Sequence, residues 1–226
     1  MSPDVEVAIA AADGWPIGGL LSMPDPATSE VPGALLVPAS RHERDAYTAV
    51  AAALAQRGVA SLRIDIRGRG ASRGEISYAR MTPRQRQRVA LDVVAAFEHL
   101  ATVPGVDPRR LALGAEQDTA ADALDAVSSS ERLRAIVLLS ARDERRCLEA
   151  VGRQHVPLFG LVSQEDPEGL RATVDAYLAG DAQHSRLEVF DGLGLGTTML
   201  STRQFEHPDA QPLEAMIADW LAARLA

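Results

Sequence analysis

The chain has 226 residues, of which 46% are hydrophobic, and this size suits one domain with a sizeable core. Its formal net charge of −8 argues against a nucleic acid or an anionic membrane as the partner. The single cysteine, Cys147, excludes an internal disulfide bond, and no apolar run is long enough to predict a membrane-spanning helix.

The predicted elements begin with two short apolar runs, residues 5–11 and 17–23, which surround a turn-rich stretch holding Asp13, Gly14 and Pro16. This pattern predicts an antiparallel strand pair at one edge of a sheet. The first ten residues are acidic and lack a basic segment followed by an apolar core, so a signal peptide is not expected. We therefore expect a soluble, cytoplasmic protein.

Beyond this pair, β-rich apolar runs alternate with helical stretches rich in alanine and leucine. The predicted strands are residues 34–37, 59–64, 111–113, 135–139, 158–162 and 186–190. The predicted helices are residues 45–56, 83–100, 120–127, 145–151, 170–178 and 213–225. This alternation is typical of an α/β protein with a mostly parallel sheet and crossover helices. The chain has no repeat and no linker, so we predict a single domain over residues 1–226.

In an open parallel sheet, functional groups gather at the carboxyl ends of the strands. Residues 62–72 read Leu-Arg-Ile-Asp-Ile-Arg-Gly-Arg-Gly-Ala-Ser, which resembles the strand and D-x-R-G-x-G-x-S loop of the α/β-hydrolase superfamily. The similarity is to its small dienelactone-hydrolase-like and serine-aminopeptidase-like members. This resemblance implies a three-layer sandwich with an antiparallel N-terminal edge and no large lid domain.

Two later stretches resemble the same superfamily in the expected order. Residues 156–167 look like the strand that ends in the catalytic aspartate of these proteins, here Asp166. Residues 192–200 look like their G-x-G-H-G loop, which comes before the last helix. The resemblance therefore covers nearly the whole chain.

The catalytic positions that the resemblance implies have mostly changed. The nucleophile of the superfamily lies on a strained G-x-S-x-G turn, and Glu116 stands at the serine position in the segment that begins at Gly114. Neither serine nor cysteine occurs in that turn. Leu195 stands at the histidine position and cannot transfer a proton. Asp166 stands at the acid position, where an Asp-Pro turn explains its presence at least as well as catalysis does.

The densely charged loop at residues 38–45 follows the strand that should lie beside the turn. The resemblance implies that this loop supplies a backbone amide to the site. We list Glu116, Asp166 and His42 as candidate catalytic residues. The candidate ligand-binding residues are Ala39, Ser40, Arg41, Arg67 and Gln117.

Three functional hypotheses follow. The preferred one is a pseudohydrolase that uses the old cleft to bind a small molecule or a protein partner, with homo-oligomerisation left open. The second is a repurposed enzyme in which Glu116 serves as acid or base for proton transfer, cyclisation or isomerisation. A salt bridge from Glu116 to Arg41 or Arg67 is an equally simple role for that carboxylate. The third is a conventional esterase or thioesterase that uses Ser40, Ser72 or Ser140. No cofactor, metal ion, nucleic acid or membrane is expected in any of them.

Overall fold

The computed structural model describes residues 4–25 and 29–226, so the predictions for residues 1–3 and 26–28 lie outside the described residues. The strands are β1 Val5–Ala10, β2 Pro16–Ser22, β3 Val31–Val37, β4 Ala60–Ile64, β5 Val106–Glu116, β6 Leu133–Leu139, β7 Leu158–Ser163 and β8 Arg186–Phe190. The helices are α1 Thr48–Gln56, α2 Pro83–Arg86, α3 Val89–Thr102, α4 Ala120–Val127, α5 Glu144–Gln154, α6 Pro167–Ala179, α7 Thr198–Glu206 and α8 Leu213–Leu225. No helix in this part of the chain has the length and apolar character needed to cross a bilayer.

One sheet contains all eight strands, in the order β1-β2-β4-β3-β5-β6-β7-β8. Strands β3 to β8 run parallel to one another, and β2 is antiparallel to both β1 and β4. The mostly parallel sheet and its antiparallel N-terminal edge are therefore confirmed. The central strands β3 and β5 are neighbours, which brings the segments that follow them to the same end of the sheet.

Two apolar cores cover the two faces of the sheet. Along β3 the side chains alternate between them: Leu35 and Val37 pack with α3 to α6, whereas Ala34 and Leu36 pack with α1, α7 and α8. This alternation follows from the two-residue period of a strand. Because both faces are covered by helices, the central strands read as continuous apolar runs, which explains why the sequence located them.

Two helical predictions need correction. The helix predicted over residues 83–100 is two helices, because α2 ends at Arg86 and α3 begins at Val89. Thr82 caps α2 through a reciprocal hydrogen-bond pair with Gln85, and the core face begins only in α3. The sequence also missed α7, since residues 192–200 were interpreted as loop. That segment turns helical at Thr198 and buries Met199 and Leu200.

Candidate functional site

The ends of β3 and β5 bring distant residues together. Val37 pairs with Ala115 and Glu116 pairs with Leu139, so the loop after β3 begins beside the end of β5. The late loop between β8 and α7 reaches the same place, because the Gly196 N–H donates to the Ser140 hydroxyl just past β6. Three loops that are far apart in sequence therefore meet at the carboxyl end of the sheet.

The Glu116 carboxylate lies at the centre of this meeting point and is fully buried. Its Oε1 accepts from the backbone N–H of Ala39 at 2.8 Å, and its Oε2 accepts from that of Thr197 at 2.6 Å. The His42 ring nitrogen Nδ1 lies 2.8 Å from Oε1, and the Thr197 hydroxyl donates to the same oxygen at 3.4 Å. Hydrogen bonds of this kind compensate the cost of burying a carboxylate. Glu116 therefore ties the early loop and the late loop to the end of β5.

His42 is the ring partner of that carboxylate, and its side chain keeps 21% of its surface exposed. A carboxylate only accepts hydrogen bonds, so Nδ1 carries the proton in this contact. Nδ1 also lies 3.1 Å from the Thr197 hydroxyl oxygen. The neutral ring therefore has its free lone pair on Nε2, on the edge that faces away from Glu116.

The strained residue of the turn after β5 is Gln117, with a φ of 47°, whereas Glu116 has an extended backbone with a φ of −133°. A bulky residue rarely adopts a positive φ, and such strain marks the sharp strand-to-helix turn that the sequence assigned to Glu116. The turn is therefore centred one residue later than expected. Gly114 and Ala115 are both small, so the sequence pattern fitted either register.

Gln117 is buried beneath the late loop. Only 6% of its surface is exposed, and its side-chain Nε2 has no hydrogen-bond partner among the described residues. A Cβ placed on Gly196 would collide with the Gln117 amide and with the Glu116 carboxylate. Gly196 adopts a positive φ of 56°, so the close approach and the backbone conformation both require glycine here.

Tyr47 is a buried residue that interacts electrostatically with Glu116. Its ring is buried, and its hydroxyl has no hydrogen-bond partner among the described residues. Burial raises the pKa of Tyr47 well above its usual range, and the nearby negative charge of Glu116 raises it further. The phenol therefore stays neutral beside the carboxylate.

A cleft of about 610 Å³ opens beside the cluster. His42 and Thr197 are among its lining residues, and α1, α7 and α8 contribute Ala49, Leu200 and Glu214. Neither Glu116 nor Gln117 is among the lining residues. The accessible group of the cluster is thus the His42 ring rather than the residues of the strained turn.

Asp166 lies outside this cluster. Its carboxylate accepts from the Gly169 N–H and thereby caps α6, and it forms an ion pair with Arg142 at 2.8 Å. Leu195, which follows it in the implied order of the triad, is partly buried in the late loop. The structure gives Asp166 a local structural role.

The remaining predicted ligand residues are distributed differently. Ala39 contacts Glu116 through its N–H, and the Ser40 N–H donates to Asp118 at 3.1 Å. Arg41 is exposed. The prediction that Arg67 lines the cleft is wrong, because its guanidinium is buried against Asp92 at 2.6 Å and Asp13 at 2.8 Å. The side-chain partner of Glu116 is His42, one of the candidate residues, rather than Arg41 or Arg67, the two arginines considered for a salt bridge.

Two of the three serines considered as alternative nucleophiles, Ser72 and Ser140, have structural hydrogen-bond partners. The Ser72 hydroxyl donates to the Asp65 carbonyl and accepts from the Gly18 N–H, and Ser140 is buried under Gly196. Among the described residues, no serine hydroxyl is hydrogen-bonded to a histidine ring.

Sequence reasoning missed Thr197 and Tyr47 as members of the cluster. Thr197 follows the glycine-rich late loop, and its position beside that loop was the only available signal. Tyr47 looked like an ordinary core residue on an apolar helix face, which its burial supports. Only the folded chain shows that its hydroxyl lies near a buried carboxylate.

No protein-family model matches the chain, and no curated protein matches it in sequence. Solved structures do match. A dienelactone hydrolase from Anabaena variabilis is 18% identical, with a TM-score of 0.73 and 99% of each chain covered. The esterase domain of a Rhodothermus marinus protein is 14% identical, with a TM-score of 0.73 and 100% of each chain covered. An α/β hydrolase from a Penicillium species is 15% identical, with a TM-score of 0.75 and 99% of each chain covered. Through these matches and its own topology, the chain is shown to have the α/β-hydrolase fold.

Proposed function

We propose that this chain is a non-hydrolytic α/β-hydrolase-fold protein that binds a small molecule in the cleft beside His42. The observation that carries the proposal is Gln117, which occupies the strained turn and lies buried under the late loop. Its carboxamide has no nucleophilic oxygen or sulfur to form an ester or thioester with a substrate.

The donor that would stabilise an oxyanion is also engaged. In ester hydrolysis by this fold, backbone N–H groups must point at the developing negative oxygen. Here the Ala39 N–H already donates to the Glu116 carboxylate at 2.8 Å. A substrate oxygen would have to displace that buried carboxylate, which costs more than the bond would return. The turn region is therefore better suited to hold loops together than to turn over esters.

The cleft has the features of a small-molecule site. Its volume of about 610 Å³ lies in the range typical of ligand pockets, and it combines apolar walls with a few polar groups. A concave site of this kind favours a small molecule over a protein partner, which usually buries a flatter and larger surface.

A second candidate function is catalysis without a covalent intermediate. The observation that favours it is the contact between His42 Nδ1 and Glu116, which leaves the other ring nitrogen toward the cleft. In this version the cleft both holds and converts its ligand.

The first test asks whether the turn has any nucleophile. Wild-type protein is treated with a fluorophosphonate probe and assayed with p-nitrophenyl acetate. We expect no covalent adduct and no ester turnover above the rate in buffer. An adduct, or turnover abolished by replacing one serine, would contradict the proposal and reveal that serine as the nucleophile.

The second test asks whether the cleft binds. Thermal shifts are measured against a panel of metabolites for wild type, Ala49→Trp and the matched control Ala223→Trp. Both alanines are exposed on helices of the same face, but only Ala49 lines the cleft. A shift that survives in the control and is lost in Ala49→Trp supports binding in the cleft. Shifts that Ala49→Trp leaves unchanged would place the ligand elsewhere.

A further inference from the structure

We propose that His42 is a general base whose Nε2 removes a proton from a small neutral or cationic substrate in the cleft, with Glu116 as the residue that positions it. This inference rests on the proposed binding function of the cleft. It assigns the catalytic group to the loop after β3 rather than to the turn after β5.

Glu116 is held rigidly by its hydrogen bonds. Each carboxylate oxygen accepts a backbone N–H, one from Ala39 and one from Thr197, so the group cannot rotate without breaking a hydrogen bond. It is also fully buried at the end of a central strand. A carboxylate held in this way fixes both the position and the tautomer of the ring that donates to it.

The contacts of Nδ1 fix the direction of the His42 ring. Nδ1 is held against Glu116 and Thr197, whereas the ring lines the cleft and keeps about a fifth of its side chain exposed. The exposed edge is therefore the one that carries Nε2. That nitrogen has a free lone pair in the neutral ring and can accept a proton from a molecule in the cleft.

The negative charge of the cleft limits the class of substrate. Among the described residues, three carboxylates line it, those of Glu43, Asp45 and Glu214, and no arginine does. Together with Glu116 these groups repel an anionic substrate and favour a neutral or cationic one. The apolar walls, formed by the alanines of α1 and by Leu200, fit a substrate with an apolar body.

The probe for this activity is 5-nitrobenzisoxazole, a neutral and partly apolar molecule. The base takes the carbon-bound proton onto Nε2, and the C–H electron pair completes a nitrile. The ring N–O bond breaks, and its electrons leave on the phenolate oxygen. The imidazolium then returns its proton to water. No nucleophile, oxidant or cofactor enters this balance.

Wild type is expected to accelerate this elimination, and His42→Gln to lose at least about 100-fold of that acceleration, since a positioned base typically contributes this much. The control is His184→Gln. His184 also contacts a carboxylate through Nδ1, at 2.7 Å from Asp181, but it lies on the surface and does not line the cleft. Its replacement should leave the rate unchanged.

The role of Glu116 is read from the separate changes in kcat and KM. In Glu116→Gln kcat should fall while KM for the probe stays close to the wild-type value, because Glu116 orients the base without touching the substrate. A purely structural loss would reshape the cleft and raise KM as well. Circular dichroism and thermal melting establish that each variant is folded before its rate is interpreted.

The outcomes separate the two proposals. A wild type that does not accelerate the elimination, or a His42→Gln variant as active as wild type, overturns the assignment of the base. If metabolite binding is still lost in Ala49→Trp, the proposed binding function stands even though His42 is not a base. If metabolite binding does not depend on Ala49 but elimination depends on His42, the metabolites bind elsewhere, and the cleft is shown to bind the elimination probe itself.

Discussion

The molecule contains two contacts between a histidine ring and a carboxylate that have nearly the same length. His42 Nδ1 lies 2.8 Å from Glu116, and His184 Nδ1 lies 2.7 Å from Asp181. The carboxylate of the first pair is fully buried and accepts from two backbone N–H groups that belong to different loops. The second pair joins residues three positions apart in one surface turn, and both of its side chains are partly exposed. The first contact therefore helps to join two distant loops, whereas the second lies within one turn at the surface.

The two carboxylates differ in the backbone N–H groups from which each accepts hydrogen bonds, in addition to the histidine ring. Without Glu116, the N–H groups of Ala39 and Thr197 would be left in the interior with no acceptor. Without Asp181, the Gln183 N–H would be exposed to water, which can replace the lost acceptor. The contribution of such a pair to stability thus depends on its burial and on the other N–H groups that its carboxylate accepts, much more than on the distance between its atoms.

The largest expected effect comes from removing the two carboxylates in turn. Glu116→Ala should lower the free energy of unfolding by about 3–5 kcal/mol, because it leaves buried donors without an acceptor. Asp181→Ala should lower it far less, because solvent screens an exposed pair and water replaces its lost hydrogen bonds. Urea denaturation followed by circular dichroism measures both. Equal losses in the two variants would show that Glu116 does not brace the loops.

The late loop offers a sharper test of the same contrast. Gly196 and Gly192 both have a positive φ, but a Cβ on Gly196 would meet Gln117 and Glu116, whereas one on Gly192 would meet open space. Gly196→Ala should cost about 2–3 kcal/mol, through backbone strain together with overpacking. Gly192→Ala should cost about 1 kcal/mol through strain alone. The same denaturation experiment compares them, and a difference near zero would mean that the loop does not cover the buried pair tightly.

The fold could be predicted from the sequence because its signals are local. Apolar runs located the strands of the parallel sheet, and Ala120–Val127 and Leu213–Leu225 match their predicted bounds. The continuous helix predicted over residues 83–100 is interrupted at Gln87 and Arg88. These polar residues separate the capped turn α2 from the core helix α3. α7 was missed because residues 192–200 resemble the glycine-rich late loop of the superfamily and were interpreted as loop throughout, although the helix begins at Thr198.

The site could be predicted only in part, because its contacts are not local. The order of strands places the loop after β3 beside β5, which is why His42 and Glu116 were both candidates. The bond between them joins residues 74 positions apart and depends on ring and backbone geometry that no pattern encodes. The register of the turn likewise could not be chosen, since either Gly114 or Ala115 provides the small residue that it needs.

A smaller effect is expected from Tyr47, whose buried hydroxyl lies near the buried pair without a hydrogen-bond partner among the described residues. Tyr47→Phe should raise the free energy of unfolding by about 1 kcal/mol at pH 7, because an unsatisfied polar group leaves the interior. Burial raises the pKa of Tyr47 in the folded chain, so the unfolded chain ionises first. Wild type therefore loses stability as the pH rises above about 10, and the phenylalanine variant should not share that loss.

Urea denaturation at pH 7 and at pH 10.5 measures this difference, which should widen at the higher pH. Tyr177→Phe is the control, since Tyr177 is only partly buried. A Tyr47→Phe variant that is less stable than wild type at pH 7 would mean that the hydroxyl contributes a favourable interaction with the Glu116 cluster.

The smallest expected effect concerns the exposed pair and its response to salt. The hydrogen bond from His184 lowers the pKa of Asp181 below its usual value, and the charge of the protonated ring lowers it further. Asp181 therefore favours the folded chain above its unfolded pKa, and this contribution is lost as the pH falls through the lowered value. Because the pair is exposed, 1 M NaCl should raise the pKa of Asp181 toward its usual value, and His184→Gln should do the same at low salt. Carboxyl ¹³C shifts recorded during a pH titration measure both changes. A pKa that does not respond to salt would mean that the surface pair is shielded from solvent as the buried pair is, and the contrast between them would then rest on shared donors alone.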